Sequence, residues 1–220
     1  MNSVRLWYKK SGLAVYTSHL DMNRCFTRAV RRAGIPLWYT EGFNPHPYLT
    51  FLLPLPLGTA GEREPLDIRT VEDISAEEIK KRLNAVLPEG LEIVDVTEAR
   101  DKANEIVSAA YEITARFESG EDAEKFAKSV TDIIGTGTLE AEKRSKRGIK
   151  TVNLCEFVRS FEAKADGNAA VIRTELLTGT QQNLNAGLLE EALEKAAGIS
   201  PETMTIVRKE IYKENNELFA

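Results

Sequence analysis

The sequence has few of the residues that hold metals or form covalent crosslinks. Its 220 residues include two cysteines and two histidines, and Cys25 and Cys155 lie far apart. There is no CxxC pair and no cluster of cysteine and histidine, which argues against a zinc module, an iron–sulfur cluster or a disulfide framework. We therefore expect no metal and no cofactor, and we expect both thiols to be buried as small hydrophobic groups.

Long hydrophobic runs and common catalytic motifs are also missing. No stretch of 18 or more apolar residues occurs, so we expect no membrane-spanning helix. The first ten residues have neither the apolar core nor the cleavage site of a signal peptide, which predicts a cytoplasmic protein. No GxGxxG, Walker loop, GxSxG or HExxH is present, so no dinucleotide, nucleotide, hydrolase or metalloprotease site is indicated.

Charge is unevenly distributed along the chain. The whole protein carries a net charge of −5, yet residues 1–60 hold seven Lys and Arg against two Asp and Glu. The acidic total argues against non-specific coating of DNA, while a local basic surface permits a specific anionic partner. The basic segment is therefore where we look for a binding site.

Hydrophobic periodicity in the first half predicts the order β-α-β-β-α-β. Ser18 followed by Asp21 resembles a capping box, and we expect a helix from there to about Ala33, with Gly34 as its stop. A second Ser-x-x-Glu cap at Ser75 predicts the second helix. The first helix has apolar residues at helical spacing: Met22, Phe26, Ala29, Val30 and Ala33.

The second half repeats this order without obvious sequence identity, with strands predicted over 150–158 and 161–177. We therefore predict an α+β fold with two tandem ferredoxin-like (βαββαβ) domains and antiparallel sheets. The domains are expected to span residues 1–97 and 108–220, with a polar linker at 98–107 between them.

Four arginines follow the outer face of the first predicted helix. Arg24, Arg28, Arg31 and Arg32 fall at i, i+4, i+7 and i+8, opposite the apolar stripe. Guanidinium groups match the geometry of phosphate and carboxylate. We expect Asp21 to be engaged as a cap, which leaves the four arginines without an acidic partner. A solvated face is the usual outcome for a run of charges, and an anionic ligand, RNA or a nucleotide-like group first, is the alternative.

A second basic stretch lies at 143–150 and contains Lys146 and Arg147. Its glycine and its charge predict a hairpin tip or a loop. Such a loop is generically a solvated turn. Together with the helix arginines it would extend one electropositive surface for RNA across both halves.

The two histidines are the candidates for acid–base chemistry. His19 lies in the first turn of the arginine helix, where it could transfer protons or simply bond locally. His46 lies between two prolines that restrict its backbone, which predicts either a structural turn or a presented binding group. Their spacing does not require a metal site with a nearby carboxylate.

An ordered set of motifs in this segment resembles a known family. SHLD, a helix with RRAG, TEGFNPHP, PLPLG and the acidic segment Glu64–Ile68 resemble the radical SAM-associated family of bacterial proteins. The resemblance implies partnership with a nearby-encoded radical SAM protein. Radical chemistry by this chain is not implied, because it lacks CxxxCxxC. The partner or ligand loop would comprise Glu41, Phe43, Asn44 and His46.

These observations support three functional hypotheses. The leading one is a noncatalytic partner of a radical SAM enzyme that binds RNA or presents an RNA- or translation-related substrate. The second is a metal-independent endoribonuclease that uses His19 or His46, since the expected fold is similar to that of CRISPR repeat-processing endoribonucleases. The third is an adaptor that binds only protein.

Overall fold

The computed structural model describes residues 2–145, 148–179 and 182–220. The chain divides into two compact units, Met1–Ala103 with Ala220, and Asn104–Phe219. Within the described residues it is a mixed α+β protein with four α-helices and ten strands. None of these helices is long and apolar enough to cross a membrane.

The first unit alternates strands with two helices. Strand β1 lies between β3 and β4, and β2 pairs with the other edge of β3, all antiparallel. The sheet order is thus β4-β1-β3-β2. The elements are β1 (Asn2–Lys10), α1 (His19–Arg32), β2 (Leu49–Phe51), β3 (Thr59–Thr70), α2 (Ala76–Asn84) and β4 (Leu91–Glu98).

Helix α1 begins and ends where the sequence predicts. The Ser18 hydroxyl accepts a hydrogen bond from the Asp21 backbone N–H at 3.2 Å, which satisfies one of the free donors of the first turn. The chain leaves the helix at Gly34, whose φ of 64° favours glycine. The Ser75 cap of α2 is confirmed in the same way, through the Glu78 N–H.

The core of the first unit lies between its sheet and its two helices. Leu6 pairs with Leu66 on β3 and with Val96 on β4, so the three side chains share the helix-facing side. Phe26 from α1 and Ile79 from α2 are fully buried against them.

A buried arginine ties the end of the chain into this unit. Arg5 pairs bidentately with Asp67 at 2.8 and 3.0 Å. It also donates to the carbonyl oxygens of Ala220 and Asp101, both at 2.6 Å. Because its charge and donors are satisfied within the fold, we regard Arg5 as structural.

The second unit follows the same path with one hairpin inserted. Its main sheet has the order β10-β5-β9-β8, all antiparallel, and β6 and β7 pair only with each other in the part of the chain that the structure describes. The elements are β5 (Ser108–Arg116), α3 (Gly120–Gly135), β6 (Glu140–Ser145), β7 (Gly148–Asn153), β8 (Val158–Asp166), β9 (Ala169–Leu177), α4 (Ala186–Ala197) and β10 (Thr203–Tyr212).

Two strand predictions in this unit are wrong in detail. The run predicted over 161–177 is two strands, because the chain turns at Gly167 with a φ of 58°. The run predicted over 150–158 ends at Asn153, whose side chain accepts from the Cys155 N–H and starts a short 3-10 helix. In both places a local turn interrupts an otherwise strand-like pattern.

Candidate functional site

Three arginines of α1 line one surface groove. Arg24, Arg28 and Arg32 face a cavity of about 540 Å³, whose other wall includes Val86 and Pro88 from the segment between α2 and β4. The arginines are four residues apart, so each lies about 6 Å further along the helix axis than the last. We call this cavity, with its three guanidinium groups, the arginine groove.

The buried face of α1 sets the direction in which these arginines point. Met22, Phe26 and Val30 are buried, which fixes the rotation of the helix about its axis. The Phe26 ring lies 5.1 Å from the Tyr8 ring and 5.7 Å from the Phe51 ring. The three groove arginines therefore lie on the outside of a helix whose inner face packs against an aromatic core.

The charges in the arginine groove are only partly compensated. The prediction that all four arginines lack an acidic partner is wrong for Arg24, which pairs with Asp21 at 3.2 Å across an exposed surface. The Ser18 hydrogen bond, and then Arg24, lower the pKa of Asp21. Arg28 and Arg32 have no carboxylate partner among the described residues.

Arg31 does not line the arginine groove. Its Nε donates to the Tyr39 hydroxyl at 3.2 Å, and its guanidinium lies 5.7 Å from the centre of that ring. The predicted set of four arginines therefore separates into three that face the groove and one that packs on an aromatic side chain. The contacts with the Tyr39 hydroxyl and ring account for the position of the Arg31 side chain without a ligand.

A cysteine also lines the groove. Cys25 and Cys155 are both half-buried, so the prediction of buried thiols is wrong in degree, although Cys25 does pack against the hydrophobic core. Burial raises the pKa of the Cys25 thiol, and Arg28 and Arg32 oppose that shift. Because burial is the larger effect, the thiol is protonated at neutral pH and is a poor nucleophile.

The two histidines have separate surroundings. His19 is exposed at the start of α1, with its ring edge-on to Phe51 at 5.2 Å. His46 Nδ1 lies 3.0 Å from the Thr40 hydroxyl and 3.2 Å from the Asn44 carbonyl oxygen. No hydrogen bond joins the two rings within the described residues, so the contacts do not assemble a histidine pair.

The loop at 41–47 is closed at its base. The Thr40 N–H donates to the His46 carbonyl at 2.9 Å, and the Tyr48 N–H donates to the Trp38 carbonyl at 3.0 Å. Glu41 and Asn44 are exposed, and Phe43, at 113%, is the most exposed large apolar side chain of the described residues. The predicted partner loop therefore presents an unburied aromatic ring from a defined turn.

An arginine that the sequence did not single out supports the base of this loop. Arg69 on β3 lies with its guanidinium 4.1 Å from the centre of the Tyr48 ring and 5.6 Å from that of Trp38. Its Nε is buried and makes no hydrogen bond. Cation–π contact compensates part of the cost of burying an unpaired N–H group, and it packs Arg69 against the two rings at the loop base.

The last candidates are the basic stretch at 143–150 and a metal site. Lys146 and Arg147 lie outside the described residues. In the described part of the chain, no group of three or more His, Cys, Asp or Glu side chains could hold a metal ion. The groove therefore rests on three arginines of α1 and on the segment that follows α2.

Comparison with known proteins identifies the family. The model described as "Uncharacterized protein conserved in bacteria (DUF2344)" matches residues 3–186. The chain belongs to this family. The match includes all of α1, the 41–47 loop and the groove wall after α2. No curated protein matches the chain.

One solved structure shows a likeness of fold. A chain from a "Cbf5-Nop10-Gar1 Complex" matches 96% of this chain with a TM-score of 0.50 and 12% identity. This chain corresponds to 50% of the length of that one. An unknown protein from Galdieria sulphuraria matches 94% of this chain and 98% of its own, with a TM-score of 0.27 and 10% identity.

Proposed function

We propose that the protein is a noncatalytic RNA-binding protein whose arginine groove holds the phosphates of an RNA strand. One observation carries this proposal: Arg24, Arg28 and Arg32 face one groove from successive turns of α1, and two of them lack a carboxylate partner among the described residues. Phosphate oxygens accept the paired N–H groups of a guanidinium, and RNA supplies such groups in a row.

The spacing of the cations favours a polyanion over a small anion. Neighbouring arginines are about 6 Å apart along the helix axis, which is comparable with the separation of successive phosphates on a strand. A single small carboxylate would contact one or two of these groups and leave the third unused. Three regularly spaced cations therefore fit a repeating phosphate chain.

We also propose that the RNA-binding protein works beside a radical SAM protein, which docks on the 41–47 loop. This proposal rests on the motif resemblance and on the exposure of Phe43. A fully exposed aromatic ring on a stiff loop is costly to leave in water and is a common anchor in protein interfaces. Loss of co-purification in a Phe43→Ala variant, after nuclease treatment, would support it.

The two units support a finer proposal about the fold. Apart from the β6–β7 hairpin of the second unit, each has strands and helices in the order βαββαβ, and the main sheet of each runs fourth, first, third, second strand with all neighbours antiparallel. We propose that both units are ferredoxin-like domains, the second with the β6–β7 hairpin inserted.

The RNA proposal is tested by titrating labelled RNA against the wild type and an Arg28→Ala/Arg32→Ala variant. We expect Kd to rise at least about tenfold. The slope of log Kd against log salt should fall by about 0.7 for each phosphate of a single strand that the variant no longer neutralises. Lys125→Ala/Lys128→Ala is the matched control, because it removes equal charge from α3.

Two results would count against this proposal. Equal affinity and equal salt slope in the arginine variant and the control would remove the groove from RNA binding. Cleavage of RNA by the pure protein in EDTA, abolished in His19→Ala or His46→Ala, would favour the endoribonuclease instead.

A further inference from the structure

Large apolar side chains are exposed beside the first turn of α1. The exposed fractions are 88% for Leu13, 70% for Tyr16, 60% for Leu20 and 66% for Leu57. Single exposed leucines are ordinary, but four large apolar side chains around one helix start indicate an interaction surface. We call these four residues the apolar rim.

The rim is held on a fixed backbone. Leu13 and Tyr16 lie in a 3-10 helix over Gly12–Tyr16. The Ser11 N–H donates to the Gly90 carbonyl at 2.8 Å, and the Gly58 N–H donates to the Val15 carbonyl at 2.9 Å.

Gly90 allows this close approach. Its φ is +85°, and a Cβ at this position would lie 2.5 Å from the Ser11 carbonyl oxygen. The short helix therefore packs directly on the backbone between α2 and β4. The exposed side chains project from an ordered support.

One residue of the rim lies on the same row of α1 as the arginines of the groove. Leu20 precedes Arg24 by four residues, so it occupies the next place in the row that Arg24, Arg28 and Arg32 form on α1. On the other wall, Pro88 lines the groove and Gly90 contacts the support of the rim. A strand that follows the arginines toward the start of α1 would arrive at the segment that precedes the helix, which carries Tyr16.

We infer that the apolar rim binds an unpaired base of the RNA, with Tyr16 as the stacking ring, so that the groove selects single-stranded RNA. The inference rests on the proposed RNA-binding function and names the form of RNA. Proteins that hold single strands combine a cationic track for the phosphates with aromatic rings for the bases. In a duplex the bases are paired and stacked, so Tyr16 could not reach them.

Continuity with the groove favours a base over a protein segment at the rim. A base joined to phosphates at Arg24 and Arg28 would bind at the rim within the same complex, without a second association step. The leucines would exclude water from the edge of the stacked base.

The test measures binding of a single-stranded RNA and of a duplex with the same number of phosphates. For the single strand, we expect Tyr16→Ala to raise Kd about 5- to 100-fold with an unchanged salt slope. Tyr16→Phe should bind like the wild type. The duplex should bind Tyr16→Ala and wild type equally. Leu218→Ala controls for loss of an exposed apolar side chain elsewhere, and circular dichroism checks the fold.

The outcomes separate this inference from the proposed function. If Arg28→Ala/Arg32→Ala weakens binding of the single strand but Tyr16→Ala does not, the inference is overturned and the RNA-binding function stands. If neither variant changes the affinity for the single strand, both the inference and the proposed RNA-binding function are overturned. If Tyr16→Ala leaves RNA affinity intact but abolishes co-purification with a protein, the rim is a protein-docking surface and the inference is overturned.

Discussion

Helices α1 and α3 have equivalent places in their units and both bury an apolar face. Their solvent-facing sides differ in charge. Each follows the first strand of its unit and is capped by a serine, Ser18 or Ser119, that accepts from the backbone N–H three residues on. Each buries a phenylalanine completely, Phe26 or Phe126. The features that the fold requires are therefore shared.

The outer faces show what the fold leaves free. α3 carries four carboxylates and two lysines, and its Lys125 pairs with Glu121 at 2.7 Å, as an ordinary solvated helix does. α1 carries four arginines and a single aspartate. The last two arginines stabilise the helix C-terminus through its dipole, by about 0.3–1 kcal/mol each. Arg24 and Arg28 lie too far from that end, so the dipole does not account for them.

The largest effect should be on stability and should come from removing the phenylalanine that each helix buries. We expect Phe26→Ala and Phe126→Ala each to lower the free energy of unfolding by about 3–5 kcal/mol, because each leaves a cavity under its helix. Urea unfolding monitored by circular dichroism measures both. A loss below about 1 kcal/mol in either variant would show that the two internal faces are not equivalent.

The next largest effect should be on RNA binding and should come from giving the outer face of α1 the acidic character of α3. Arg28→Glu/Arg32→Glu reverses the charge of the groove, and we expect Kd for RNA to rise about 100-fold or more. Stability should fall by at most about 2 kcal/mol, because the change at Arg32 turns a favourable interaction with the helix dipole into an unfavourable one. Lys125→Glu/Lys128→Glu on α3 is the matched reversal and should change Kd far less. Equal losses in both variants would mean that net charge, and not the groove, governs binding.

Much of the shared part of this comparison is predictable from the sequence. Ser18, Gly34 and the apolar spacing of α1 act over a few residues, so the helix bounds follow from local rules. The groove wall formed by Val86 and Pro88 does not follow from local rules, because it meets α1 only through tertiary packing. The pairing of Arg24 with Asp21 escaped prediction since a capping carboxylate was expected to have no second partner.

The smallest effect concerns the one acid on the outer face of α1. The Asp21 pKa is lowered from 3.8, first by Ser18 and then by Arg24. Its contribution to stability is therefore present above the unfolded pKa and is lost as the pH falls through the folded one. In Arg24→Ala we expect NMR titration to show a pKa that rises but stays below 3.8. A complete return to 3.8 would contradict the dominant role of the Ser18 hydrogen bond.

The most direct measurement of the central claim uses the two thiols of the protein. Cys25 lines the arginine groove, while Cys155 lies in the second unit, and both are half-buried. The rate of maleimide labelling at each is measured by peptide mass spectrometry with and without single-stranded RNA. Our account predicts that RNA slows labelling of Cys25 and leaves Cys155 unchanged. Unchanged labelling of Cys25 at saturating RNA would contradict it.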